Sequence, residues 1–237
     1  MTKTLLKNTF REIANSKARF ISILAIIALG VGFFAGIKAT VPSMYNMADE
    51  YYSQSNLMDY RLVSTLGFDK DDVKAVENLD NVTDVMPSYF ADLVLKSNGN
   101  GGNGKVIRVS AAPKSYNNNK TLNTLNIKEG RLPEKKGEIL VEYGSVGSSD
   151  YKIGDKVVFG SESGESNALD MVDTLEYTVV GKVESPMYIS YQRGSTTIGN
   201  GNIEAFMYIY QDDFVTERYT EMYVKTAFSD GDGSAFD

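Results

Sequence analysis

The residues able to do chemistry here are few, and their types limit what that chemistry could be. The chain has no histidine and no cysteine. That removes the usual general base near neutral pH, the usual zinc ligand and any thiolate or disulfide. Acids remain, in adjacent pairs such as Asp71/Asp72 and Asp212/Asp213. Two carboxylates act together in hydrolysis only when held across a cleft, and sequence neighbours are ordinarily a solvated surface. Residues 98–104 read NGNGGNG. They lack the spacing of a phosphate-binding loop and lead into a strand pattern, so they read as a hairpin tip. Residues 229–237 read SDGDGSAFD. Asp230, Asp232 and Ser234 alternate like the start of a calcium loop, but Ala235 stands where that loop needs glycine. No catalytic residue, metal site or cofactor is assigned on these grounds, and no Walker motif is present.

The element around which the chain is organised is apolar. Residues 20–37 read FISILAIIALGVGFFAGI, with Arg19 before and Lys38 after. Eighteen helical residues span about 27 Å, against about 30 Å for a bilayer's hydrocarbon core. A cleaved signal would be shorter and would end on an Ala-x-Ala-like site, whereas this exit reads AGIKAT. A retained transmembrane helix is expected. Ala28, Gly32 and Gly36 fall four apart on one face, a spacing that lets two membrane helices approach closely, so they are the helix-packing candidates.

Charge gives the orientation. Residues 1–19 hold five basic side chains (Lys3, Lys7, Arg11, Lys17, Arg19) against Glu12, and the remainder has 19 basic and 30 acidic residues, a net of −11. The basic flank belongs in the cytoplasm and the acidic body outside it. Such a body does not suit nucleic acid. Within residues 3–19, Leu6, Phe10 and Ile13 share a face, which predicts an amphipathic helix on the membrane surface or against a cytoplasmic partner.

Residues 38–58 form a membrane-exit connector, with Pro42 and tyrosines at 45, 51 and 52, and a helical extension of the span is expected there. A strand over 60–64 precedes a helix that Asp69 caps. Phe68 and Val73 form its hydrophobic staple, Val73, Val76 and Leu79 its buried stripe, and Asp80-Asn81 its stop. Strand residues over 82–96 are interrupted at Pro87, which marks an edge or a bulge. Further strands are expected over 106–112, 138–143, 157–159, 176–183, 203–210 and 219–228. Residues 114–127 read as a connection anchored by Leu122 and Leu125, and 129–133 as a turn. The fold class is α+β.

The order of these elements resembles the amino-terminal part of MacB/FtsX-type ABC transporter permeases. The resemblance rests on SKARFISILAIIALGVGFFAGIKA, FDKDDVKAVENLDNVTDVMPSY, EGRLPEKKGEILVEY, YKIGDKVVF and YTVVGKVE in succession. It implies a two-lobed extracytoplasmic core domain over residues 59–237. One lobe is of βαβ type (about 59–113 with 219–228) and the other is β-rich (about 114–210). It further implies a separate ATP-binding subunit as partner, assembly as a homodimer or pseudo-dimer in the cell membrane, and export or force transmission driven by ATP. The later spans of such permeases are not in this sequence, so a piece of a larger permease is expected. A single-span binding or sensor module is the alternative that the same anchor and domain permit.

Overall fold

The computed structural model describes residues 4, 7, 9, 11, 15–96, 104–114, 121–144, 151–160, 169–188 and 192–227. The chain divides into a first unit, Met1–Tyr51, and a second, Tyr52–Asp237.

The first unit is dominated by helix α1, Lys17–Gln54, none of whose residues is buried. Its 38 residues make about 57 Å, so it outruns a bilayer's hydrocarbon core. Among the described residues it is the one helix long and apolar enough to cross a membrane. Three of its hydroxyls bond back to its own backbone. Ser22 Oγ donates to the Ala18 carbonyl (2.8 Å), Thr40 to Gly36 (2.9 Å) and Ser43 to Ala39 (3.0 Å). Each polar group thereby finds a partner within the helix, as a lipid-facing segment requires. Pro42 lies inside the helix rather than ending it. Ahead of it, Lys7 and Arg11 have helical backbone, while Leu6, Phe10 and Ile13 lie outside the described residues.

The second unit holds two sheets. The smaller is antiparallel and consists of β1 (Tyr60–Phe68), β2 (Val82–Ser88) and β10 (Tyr219–Thr226), with β10 in the middle. Pro87 therefore sits on an edge strand, where its missing N–H costs no ladder bond. Helix α2 (Lys70–Glu77) packs Val73 against Val85 and Met222, with Leu62, Phe68 and Val76 around them. Asp69 caps it with a capping box shared with Asp72. The predicted stripe stops short, because Asn78 already closes the helix and Leu79 falls beyond it, 58% exposed.

The larger sheet takes β3 (Phe90–Leu95), β4 (Val106–Ala111), β5 (Asn126–Gly130), β6 (Glu138–Glu142), β7 (Lys156–Gly160), β8 (Glu176–Glu184) and β9 (Ala205–Ile209), in the order β5-β8-β6-β9-β4-β3-β7. Strand β7 also pairs with the start of β8, which closes six strands into a barrel. Strand β5 continues along the same edge of β8 where β7 leaves off. Closure removes the open edges of a long sheet. The interior is filled by alternate residues such as Leu93, Val109, Ile139, Val141, Met207 and Ile209. Leu140, Phe206 and Tyr208 form a second cluster with Leu125 and Val183.

Two boundaries move from their expected places. The change of sheets comes at Tyr89, not near residue 113, because β3 and β4 pair with β7 and β9 of the barrel. The polar stretch read as connection and turn contains β5. Its residues are mostly exposed, and backbone pairing with β8, rather than burial, holds it. Leu122 and Leu125 are buried as anchors.

Candidate functional site

The chemistry-bearing candidates are not brought together. Asp71 and Asp72 lie in the exposed first turn of α2, the latter taking the Asp69 N–H in its cap. Asp212 is exposed and Asp213 buried, so this pair faces no common cleft. Residues 97–103 and 228–237, and with them the hairpin-tip and calcium-like readings, lie outside the described residues. No cluster of three metal-ligating acids occurs among the described residues. Ala28, Gly32 and Gly36 lie on α1, and a methyl added at Gly32 or Gly36 would meet nothing within 4 Å.

Instead, the structure concentrates buried charge where the small sheet meets the barrel. The chain passes between the two twice, at Tyr89 and through residues 210–218. The crossings touch: Tyr89 stacks on Phe214 (5.3 Å) and tilts against Tyr219 (5.1 Å). The Phe90 N–H donates to Thr220 Oγ1 at 2.7 Å. The Phe90 ring lies beneath two guanidinium groups, Arg61 from β1 (5.1 Å) and Arg108 from β4 (4.6 Å). One aromatic face thus joins a cation from each sheet.

Each of these arginines has its own carboxylate. Arg61 donates to Glu221 on β10, and Tyr223 donates its hydroxyl to the same carboxylate. Arg108 forms a fork with Asp92, both contacts at 2.8 Å. Burial opposes the charge on both arginines, but the facing acids outweigh it and raise their pKa values. Burial pushes the Tyr223 and Tyr188 hydroxyls up. Beyond Arg108, Tyr188 stacks on Phe206 at 4.4 Å, and Arg193 lies over Phe206 while pairing with Glu142. Exposed pairs such as Lys74–Asp71 contribute up to about 1 kcal/mol, whereas breaking a buried pair costs about 3–5 kcal/mol. The buried pairs therefore fix the geometry of the junction.

A second feature explains part of the sequence pattern. Arg131 and Glu138, in the stretch EGRLPEKKGE, form a fork at 2.6 and 2.8 Å. Glu138 also accepts the Glu134 N–H, and chiefly through Arg131 its pKa falls to about 2. Gly130 has φ +77 and crosses β8 so closely that a Cβ would lie 2.1 Å from the Val180 carbonyl oxygen. Next to this turn Asp213 is fully buried and accepts the Gly137 N–H at 3.2 and 3.3 Å. Burial is the main reason its pKa rises to about 6, with Gly137 and Lys136 opposing.

Sequence reasoning did not single out Arg61, Asp92, Arg108 or Glu221. For two of them the signal was there: Arg108 and Asp92 are each the lone charge in a largely apolar strand, VIRVSA and FADLVL. Which acid meets which base depends on strand register, and that is long-range.

A family model for the MacB-like periplasmic core domain matches residues 20–232. No curated protein matches the chain. Among solved structures, the chain is similar to the extracellular domain of the noncanonic ABC-type transporter YknZ from Gram-positive bacteria. Identity is 15% and the TM-score 0.41, over 69% of this chain and 75% of that one. It is also similar to the periplasmic region of MacB from Actinobacillus actinomycetemcomitans, at 10% identity and a TM-score of 0.39, over 73% of this chain and 69% of that one.

Proposed function

Because the chain belongs to the family of the MacB-like periplasmic core domain, we propose that it works as a membrane-spanning permease component of an ABC transporter. In this reading a separate cytoplasmic subunit hydrolyses ATP, and this chain converts the resulting helix movement into movement of its outer domain, for export or force transmission. The observation that carries the reading is that one family model takes in both the apolar span and the folded domain. The buried junction supports it, since Phe90 of β3 lies against Arg61 of the small sheet and Arg108 of the barrel, each held by its own carboxylate, and such a link can transmit displacement. The amino-terminal flank is cytoplasmic and residues beyond the span are extracytoplasmic, and the working unit is a homodimer or pseudo-dimer.

The absence of cysteine makes the test clean. Lys7→Cys and Glu134→Cys chains are each treated in intact cells with a membrane-impermeant maleimide. Labelling of the second but not the first is expected. The tagged chain is then purified from its native membranes and assayed for vanadate-sensitive ATPase. Activity that co-purifies with a second polypeptide is expected. Reversed labelling, or purification with no ATP-binding polypeptide, overturns the reading, and the latter favours the single-span binding module.

A further inference from the structure

Residues 55–59, immediately after the last turn of α1, are bonded to the small sheet and to the loop that leads into β5 of the larger sheet. Asn56 closes the helix in the left-handed region (φ 47), its N–H reaching the Ser53 carbonyl at 3.1 Å. This is the usual use of asparagine at a helix end. A second left-handed asparagine, Asn123 (φ 54), faces it from the loop that leads into β5, and is fully buried. The Asn123 N–H donates to the Asn56 carbonyl (3.0 Å), and the Thr124 N–H to the Ser55 carbonyl (2.9 Å). Asn56 Nδ2 donates to the Thr121 carbonyl (3.2 Å), and Asn123 Oδ1 accepts the Met58 N–H (3.0 Å). Each asparagine side chain thus reaches the other's backbone segment.

The same few residues hold the small sheet. The Asp59 N–H donates to the Val224 carbonyl (2.9 Å), and its carboxylate accepts the Thr226 N–H (2.7 Å) and hydroxyl (3.0 Å). Lys225 Nζ donates to the Leu57 carbonyl at 2.8 Å. Met58 packs on Met86 and Tyr223 of the small sheet and on Leu122 of the loop. Connecting segments ordinarily run over the surface and satisfy their backbone with water. This one is bonded on both sides, so it has little slack.

We propose that residues 55–59 are a coupling joint, in which Asn56 and Asn123 are positioning residues that pass displacement of the helix's last turn to the barrel while Asp59 passes it to the small sheet. The proposal rests on the permease reading above and deepens it. The Asn pair is the barrel's side of the joint. Without its side chains, the connector would hold the loop by backbone bonds and the packing of Met58 on Leu122 alone.

The test uses the full chain in nanodiscs with its ATP-binding subunit, followed by hydrogen exchange with and without ATP plus vanadate. In the wild type, ATP changes exchange in both the small sheet and the barrel. Asn123→Gly keeps the left-handed backbone and removes only the side-chain bond. It is expected to leave ATPase turnover and the small-sheet response unchanged and to weaken the barrel response. Adding Ser55→Cys and Thr124→Cys to that variant and oxidising the pair restores the barrel response. Should Asn123→Gly fail to fold, Asn56→Gly reports on the same link from the other side. A barrel response undiminished in these variants, or one that the oxidised pair does not restore, overturns the joint alone. A wild type whose outer domain ignores ATP overturns the permease reading, and the joint with it.

Discussion

Glu221, fully buried in the middle strand of the small sheet, receives two guanidinium contacts from Arg61 on the neighbouring strand, Nε at 2.7 Å and Nη2 at 2.6 Å. The Arg61 face also rests on Phe90, the first residue of the barrel's β3. Removing the arginine leaves the fully buried carboxylate with the Tyr223 hydroxyl but without the cation that balances its charge. Arg61→Ala is expected to lower stability by about 3–5 kcal/mol in chemical denaturation. Arg61→Leu combined with Glu221→Leu should recover most of that loss, because no uncompensated charge then remains.

Asp213 predicts a pH dependence with a definite sign. Its folded pKa, about 6, lies above the ordinary value of 3.8, so the folded state binds the proton more tightly. The associated stability is fully present below pH 3.8 and is lost as pH rises through 6. The loss is on the order of 3 kcal/mol. Asp213→Asn should remove this slope from a plot of denaturation midpoint against pH between 4 and 6. Glu138 acts oppositely and lower: its stabilisation is present above the usual carboxylate pKa of 4.5 and is lost as pH falls through about 2. Arg131→Ala should shift that acid limb upward.

Two glycines of one motif should respond differently to the same change. At Gly130 a methyl would collide with the Val180 carbonyl oxygen and with Gly181 Cα at 2.8 Å, both backbone. Gly130→Ala is expected to break the β5–β8 pairing and leave little folded protein by circular dichroism. Gly137 has φ +78 but open space around it. Gly137→Ala should cost only about 1–2 kcal/mol of backbone strain.

The small-residue face of α1 should matter to assembly and not to the outer fold. Gly32→Ile with Gly36→Ile adds bulk to a face where an added methyl meets nothing within 4 Å. Thermal melting of the outer domain is expected to be unchanged, while fluorescence energy transfer between labelled chains in bilayers falls. Unchanged transfer would remove Ala28, Gly32 and Gly36 from the packing interface.

The cap of α2 gives a smaller effect. Asp69 accepts the N–H groups of Asp71 and Asp72 at 2.9 and 3.0 Å. Asp69→Ala should lower Tm by roughly 2–4 °C in a domain of this size, read by calorimetry.

The sequence by itself determined what depends on neighbours along the chain. The apolar run with its basic flank requires a membrane helix because its composition leaves no polar face. Asp69 and the staple of Phe68 with Val73 place α2, since both act within one turn. Most strands follow from short apolar runs set off by turn residues, and the ordered motifs carry the family. Tertiary structure alone decided the rest. Closure of six strands into a barrel depends on β7 meeting the start of β8, a backbone pairing that leaves no mark in either strand's composition. Strand β5 was hidden for the same reason, being polar and held by its partner. The pair Arg61–Glu221 and the bonds between Asn56 and Asn123 join residues far apart in sequence, and the pair Arg108–Asp92 depends on the register of β4 against β3. A lone charge or asparagine can be seen in a sequence, but its partner is set by register and by where the chain returns.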